Sequence, residues 1–226
     1  MAVLLSIIIP LAPNEMAWRD LLPDLNVLSN NCEIILATSH NAPTIEVPIS
    51  IRQVQEGSNR AAQMNAAAKQ ATGAYLWFLH ADSRLHRTTI PALLKVIVTA
   101  PQALFYADLV FLSPALPLMT LNAWGANFRS RILGMPFGDQ GLCIHKNSFH
   151  ELGGYPENTA YGEDHLFVWY ARQQGIKLCP INAPLYTSAR KYQINGWLAT
   201  TLNHLTLTFK QAFPEWKKLC ASRSKS

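Results

Sequence analysis

The sequence predicts an α/β protein: a single domain with a mainly parallel central sheet and helices on both faces. Three observations lead there. Short apolar runs alternate along the chain with stretches of helical spacing, as in successive strand–helix units. Tyr75-Leu76-Trp77-Phe78-Leu79 is apolar without interruption, as a strand buried on both faces of a parallel sheet has to be. The length of 226 residues, 49% of them hydrophobic, suits one sizeable core.

Each element has its own signal. Val3–Ile9 is β-branched and reads as the first strand. Ala17–Leu28 spaces Trp18, Leu21, Leu22, Leu25 and Leu28 as a helix does. Glu33–Ala37 and Ile49–Val54 are short strands. Asn59–Ala71 is Ala-rich and helical, with Ser58 as its expected N-cap and Gly73 as its stop. After the buried strand Tyr75–Leu79, Thr89–Thr99 reads as a helix with Pro91 in its first turn. Leu104–Leu112 is a strand, Leu118–Leu133 a helix following Pro114 and Pro117, and Gly141–His145 a short strand. Asn147 is the expected cap of a short helix ending at Gly153-Gly154. Glu163–Gln174 is a helix stopped by Gly175. Lys177–Cys179 and Leu185–Ser188 are two short extended pieces, and Gly196–Phe213 closes the fold. Residues 1–213 thus form one domain, and 214–226 a flexible basic tail carrying Lys217, Lys218, Arg223 and Lys225.

Composition narrows the function classes. The net charge of +5 is modest and its cations are scattered, which suits an anionic small ligand better than a nucleic acid. Cys32, Cys143, Cys179 and Cys220 show neither CxxC nor zinc spacing, so buried thiols in a reducing compartment are expected, not a disulfide framework. The apolar start lacks a basic n-region and a cleavage site, and no run reaches the ~18 residues of a membrane span. A cytoplasmic protein follows, with peripheral contact at a membrane face compatible with the apolar stretch Leu109–Leu121.

Five segments can carry chemistry. The loop after the first strand, Pro10-Leu11-Ala12-Pro13-Asn14-Glu15, is stiffened by two prolines and can hold a nucleobase or ribose; it can equally be a helix-initiating turn. His80-Ala81-Asp82 follows the buried strand at its carboxyl edge, where open α/β sheets place ligands. A carboxylate there can hold Mg²⁺ or Mn²⁺, or simply cap a turn. Glu163-Asp164 opens a helix whose dipole favours the ionised carboxylate, giving a weak base or a stabilising helix start. Gly138-Asp139-Gln140-Gly141 allows close backbone approach, or makes a plain turn. Thr187-Ser188-Ala189-Arg190-Lys191 can clamp a diphosphate, or sit in solvent. Arg52, Arg60, Asn65, Arg129 and Arg131 are further candidates for anion contact, each also explicable as surface polarity. The histidines outside the 80–82 segment show no ligand spacing and receive no role, and Trp77, Trp169 and Tyr170 are read as core.

In this order the segments resemble the family 2 glycosyltransferases of the A-type glycosyltransferase fold. The resemblance rests on Ser6-Ile7-Ile8-Ile9-Pro10 with Asn14-Glu15, Gln63-Met64-Asn65 with Ala71-Thr72-Gly73, Phe78-Leu79-His80-Ala81-Asp82, Gly153-Gly154-Tyr155-Pro156 and Gly162-Glu163-Asp164. The Gln-Met-Asn, Leu-His-Ala-Asp, Gly-Asp-Gln-Gly and Thr-Ser-Ala-Arg motifs resemble a small single-domain bacterial subgroup. The likeness spans about residues 3–205 and implies a nucleotide-diphosphate sugar donor, a divalent metal (Mn²⁺ or Mg²⁺) and inverting transfer to a hydroxyl acceptor. It implies that Asp82 holds the metal and Asp164 is the catalytic base. The nucleotide-sugar site implied comprises Pro10, Asn14, Glu15, Arg60, Asn65, His80, Ala81, Asp82, Gln140, Glu163 and Arg190. Two departures stand out. The turn after the second strand, Ala37-Thr38-Ser39-His40-Asn41, lacks the family's acid, and His80 stands where the first acid of Asp-x-Asp is expected, as a neutral hydrogen-bonding substitute towards the ribose.

Two other readings compete. A nucleotidyltransferase on a similar sheet needs a Gly-rich basic loop after the first strand, where this chain has Pro10-Leu11-Ala12-Pro13. A non-catalytic nucleotide-sugar or membrane-surface binding module accounts for the thin metal site. Acceptor specificity is expected between about Phe111 and Met135, whose apolar character is compatible with a lipid-linked acceptor as well as a small molecule.

Overall fold

The computed structural model describes residues 4–25, 31–48, 50–112 and 117–223; the expectations at Val3, Leu28, Ile49, Pro114 and Lys225 lie outside them. The described strands form one eight-stranded sheet. They are β1 (Leu5–Pro10), β2 (Cys32–Thr38), β3 (Ile51–Gln55), β4 (Tyr75–Phe78), β5 (Arg84–Leu85), β6 (Leu104–Phe111), β7 (Cys143–His145) and β8 (Leu178–Thr187). Their order is β3-β2-β1-β4-β7-β6-β8-β5. β3, β2, β1 and β4 run parallel, as do β6 and β8; β7 sits antiparallel between these two blocks, and β5 pairs antiparallel at the edge. The helices are α1 (Trp18–Leu25), α2 (Arg60–Gln70), α3 (Thr89–Thr99), α4 (Pro117–Ile132), α5 (Lys146–Glu151), α6 (Glu163–Gln173), α7 (Arg190–Asn195) and α8 (Trp197–Arg223).

The sheet divides the core in two. On one face Ile7, Ile9, Trp77 and Phe105 pack against α1 and α3. On the other Ile8, Leu76, Phe78 and Ile144 pack against the Ala-rich face of α2 and against α6. Every residue of β1 and β4 is buried, which accounts for their unbroken apolar runs.

Four expectations are corrected. The N-cap of α2 is Asn59, whose side chain accepts from the Ala62 N–H, not Ser58. His145 caps α5 by accepting from Asn147. The two extended pieces near 177–188 are one continuous strand, β8, bulged against β6 where Asn182 takes a left-handed φ of 54°. The closing helix runs through Pro214 to Arg223 instead of ending at Phe213.

Candidate active site

The carboxyl ends of β1, β4 and β8, the start of α2 and the start of α6 meet over one cleft. At its centre is Arg60, in the first turn of α2. Its guanidinium pairs with Glu163 and lies 3.6 Å from Asp164 Oδ1. Arg60 Nη2 is 2.6 Å from His80 Nε2. A guanidinium only donates, so His80 accepts through Nε2 and carries its proton on Nδ1. Burial and the Arg60 charge push the His80 pKa well below the usual imidazole range, and Asp164 restores only part of it. His80 is therefore neutral, and its Nε2 is engaged by Arg60.

Asp164 is fixed from two sides. Gly162, in a left-handed conformation with φ of 66°, turns the chain into α6. The Gly138 N–H then donates to Asp164 Oδ2 at 2.8 Å. A Cβ on Gly138 would sit 1.9 Å from that oxygen, so the glycine is the condition for this contact. Burial raises the Asp164 pKa, but the Arg60 charge and the Asp164 and Gly138 N–H groups outweigh it, and the net direction is down. Asp164 is ionised at neutral pH.

Asp82 lies between β4 and β5, in the segment that passes the end of β8 near the Ser188 backbone. Its pKa is raised, first by burial and then by the Glu15 charge, against the lowering influence of Arg190 and the Ser188 backbone. Glu15 accepts from the Ala17 N–H at 2.9 Å and faces Arg190 Nη2 at 3.4 Å. Asn14, just before it, is exposed with φ of 61°, a conformation Asn tolerates better than most residues. Asp139 adds a third carboxylate. Burial pushes it up to about 6, and the charges of Asp164 and Asp82 act in the same direction against Arg129. Its Oδ1 has no hydrogen-bond partner among the described residues.

Three concavities surround this cluster. A recess of about 330 Å³ is lined by Pro10, Pro13, Ser39, Asn59, Arg60 and Gln63. A cavity of about 280 Å³ holds His80, Asp139, Asp164 and Lys191. An apolar groove of about 540 Å³ runs between α4 and α8 and shares Phe137, Asp139, His204 and Thr208 with that cavity. A larger cavity of about 630 Å³ lies at the opposite edge, by the amino ends of β6 and β8, away from these groups.

The expected site residues divide accordingly. Pro10, Arg60, His80, Ala81, Asp82 and Glu163 cluster at this edge, joined by Glu15 and Arg190 through their ion pair. Asn65 does not face the cleft: its amide donates to Tyr155 O and Glu157 Oε1, both at 2.8 Å, and accepts from Tyr155 N. Gln140 is fully buried and holds Ala107 O and Ser130 Oγ. Arg52 pairs with Glu33 and Arg131 with Asp108, both outside the cleft. The glycines of 138–141 make room for Asp164, Leu185, Leu79 and Trp77 of the chain itself. Phe137 and His204 line the site without having been singled out in the sequence; Asp139 lies in the Gly138–Gly141 segment that was, but not among the residues expected in the nucleotide-sugar site.

Comparison with known proteins places this architecture. Mannosyltransferase PcManGT from Pyrobaculum calidifontis, solved in complex with GDP-Man and Mn²⁺, superposes with a TM-score of 0.70 at 15% identity, covering 99% of this chain and 69% of that one. S. aureus TarS 1–349 in complex with UDP-GlcNAc superposes with a TM-score of 0.62 at 16% identity, covering 82% of this chain and 58% of that one. This chain spans 37% to 61% of the length of the TarS chains it matches. The fold is therefore the A-type glycosyltransferase fold. The sequence model of glycosyl transferase family 2 matches residues 30–149, just over half of the chain. The chain belongs to that family. No curated protein matches it.

Proposed function

We propose that the chain transfers a sugar from a nucleoside-diphosphate donor to a hydroxyl acceptor with inversion at the anomeric carbon, Asp164 acting as the base. One observation carries this reading: an ionised carboxylate, locked by Gly138 and backed by Arg60, lines a cavity beside the diphosphate-sized recess at the carboxyl edge of β1. The Pro10–Pro13 loop with Ser39 and Gln63 forms the nucleotide recess. Arg60 and Arg190 supply positive charge on either side of the cleft, where a diphosphate would lie. Asp164 takes the acceptor proton late in the displacement, a role that suits a carboxylate of low basicity. Neutral His80 keeps Arg60 in place without adding a second cation against the anomeric centre.

A divalent cation fits this edge. Among the described residues no three His, Cys, Asp or Glu side chains form a metal cluster. Burial raises Asp82 and Asp139, and neighbouring carboxylates add to it, Glu15 for Asp82 and Asp164 with Asp82 for Asp139; a hard dication would relieve such crowding. Asp82 would hold it, with Glu15 nearby and the donor's oxygens filling the remaining positions. When bound, the cation would neutralise the departing diphosphate. Structural neighbours solved in complex with GDP-Man and Mn²⁺, or with UDP-GlcNAc, support this donor class.

The test is donor hydrolysis and transfer with UDP- and GDP-sugars. Asp164→Asn and Asp82→Ala should each lower turnover by at least ~10²-fold while the proteins stay folded. Full activity in both variants would remove the assigned roles. Release of pyrophosphate from a nucleoside triphosphate and a sugar phosphate would instead support nucleotidyl transfer.

A further inference from the structure

The faces of α4 and α8 beside the groove carry large apolar side chains in solvent. On α8, Leu198, Leu202, Leu205, Phe209, Phe213 and Trp216 recur at spacings of three and four and are each more than 40% exposed. On α4, Leu121, Trp124, Phe128 and Ile132 repeat the pattern, with Trp124 64% exposed. Trp124 stacks on Phe128, and Phe209 on Phe213, so the surface is continuous and not a scatter of single residues. The two helices are tied by Asn122 Nδ2 donating to Thr201 Oγ1 at 3.2 Å. Charge on this side is one-signed. α4 has no acid, and the one acid of α8, Glu215, is buried and held by Gln173 and Lys218. Lys210, Lys217 and Lys218 are exposed, with Lys217 over the Phe213 ring.

The groove does not end blindly. Its inner end reaches the cavity of Asp164, and there it offers two buried polar atoms with no hydrogen-bond partner among the described residues, Arg129 Nη2 and Asp139 Oδ1. A mainly apolar channel whose charged groups, Arg129 and Asp139, lie at the reactive end matches an amphiphile: a hydrocarbon body outside and a hydroxyl-bearing head inside. A small soluble acceptor would account for the inner end but not for the apolar stripe, flanked by lysines, that continues beyond the groove along α8.

We propose that this chain works on a lipid surface: the α4–α8 face docks on an anionic bilayer, and the groove admits a lipid-borne hydroxyl acceptor whose head meets Arg129 and Asp139 next to Asp164. The acceptor half of this proposal rests on the glycosyl-transfer reading; the docking half does not. No helix among the described residues is long and apolar enough to cross a membrane, so attachment is interfacial, by apolar insertion aided by lysines.

The experiment is vesicle co-sedimentation of the full chain, with phosphatidylcholine alone and with added phosphatidylglycerol, in parallel with light scattering and nucleoside-diphosphate thermal shift. Binding should appear on the anionic vesicles and weaken with salt. Phe213→Glu with Trp216→Glu, outside the groove and the cleft, should weaken it at least ~10-fold and leave the nucleotide shift intact. Lys210→Glu with Lys217→Glu should remove the preference for the anionic vesicles, and tests the proposal if the first pair fails to fold. No sedimentation with either vesicle overturns the proposal, as does binding that both pairs leave unchanged. A dimer that the Phe213/Trp216 pair dissociates, with no vesicle binding, also overturns it and assigns the face to a second copy. Vesicle binding without any nucleotide response leaves docking in place and removes the glycosyl-transfer reading.

Discussion

Burial shifts His80 and Asp139 in directions that oppose each other in their effect on pH stability. The folded pKa of His80 is depressed below its ordinary 6.5. As pH falls through that value the unfolded chain gains a proton and the folded chain does not, so acidification removes stability. The folded pKa of Asp139 is raised from 3.8 to about 6. Between those values the folded chain holds the extra proton, so acidification adds stability. The wild-type melting temperature should therefore change little from about pH 6.5 to about pH 4.5 on account of this pair. His80→Asn removes the loss, and its melting temperature should rise relative to wild type as pH falls through that window. Asp139→Asn removes the gain and should decline more steeply. Calorimetric scans across the window decide it; two variants that track the wild type in parallel would contradict these environments.

At the scale of elements, Asn65 shows how a motif residue can hold a site together without entering it. It joins α2 to the Tyr155–Glu157 loop by three hydrogen bonds, and Gly154 lets that loop come close: a Cβ there would lie 2.6 Å from Asn65 Oδ1. Asn65→Leu should cost about 2–3 kcal/mol by leaving Tyr155 N and O unpaired. Denaturant unfolding should show that loss while nucleotide affinity changes little; a large affinity loss at unchanged stability would return Asn65 to the binding pocket. The sequence could place Asn65 on a helix but not aim it, because its partners lie 90 or more positions away. Local signals served well where one element decides the outcome: β1 and β4 by their apolar runs, α2 by its alanines, Asp164 by the glycine-to-acid helix start. They failed where distant chain decides. β8 looked broken at Asn182 because β6 supplies the register that carries a strand across its bulge. Pro214 looked like a terminus because nothing local reveals the Gln173 amide that holds Glu215 and anchors the next turn of α8 on α6. Gln140 and the 138–141 glycines looked like ligand contacts because the sequence cannot distinguish close approach to a ligand from close approach to Asp164.

For the whole molecule, the cleft is shared between two parts of the sheet, and that division predicts how metal and nucleotide act on each other. β1 and β4 bring Glu15 and Asp82; β8 leads to Arg190, and the helix α6 brings Asp164. Glu15 is already engaged by the Ala17 N–H and faces Arg190, so on the proposed reading Asp82, with Asp139 nearby, is the carboxylate that would hold a cation. One carboxylate is a poor site for a metal that takes about six oxygens. A nucleoside diphosphate in the recess beside Arg60 supplies oxygens that the chain lacks. Binding of the two is therefore coupled, and the coupling is reciprocal: the factor by which nucleotide tightens Mn²⁺ equals the factor by which Mn²⁺ tightens nucleotide. Calorimetric titration of Mn²⁺ should show weak binding to the chain alone and at least ~10-fold tighter binding with UDP or GDP present. The nucleotide titration should weaken by the same factor when the metal is removed with a chelator. Asp82→Ala should abolish the difference between the paired titrations, leaving the metal-independent nucleotide affinity. Mn²⁺ held as tightly without nucleotide as with it would mean that Asp82 has protein partners beyond Glu15 and Asp139, and that the cation is a resident of the fold and not a companion of the donor.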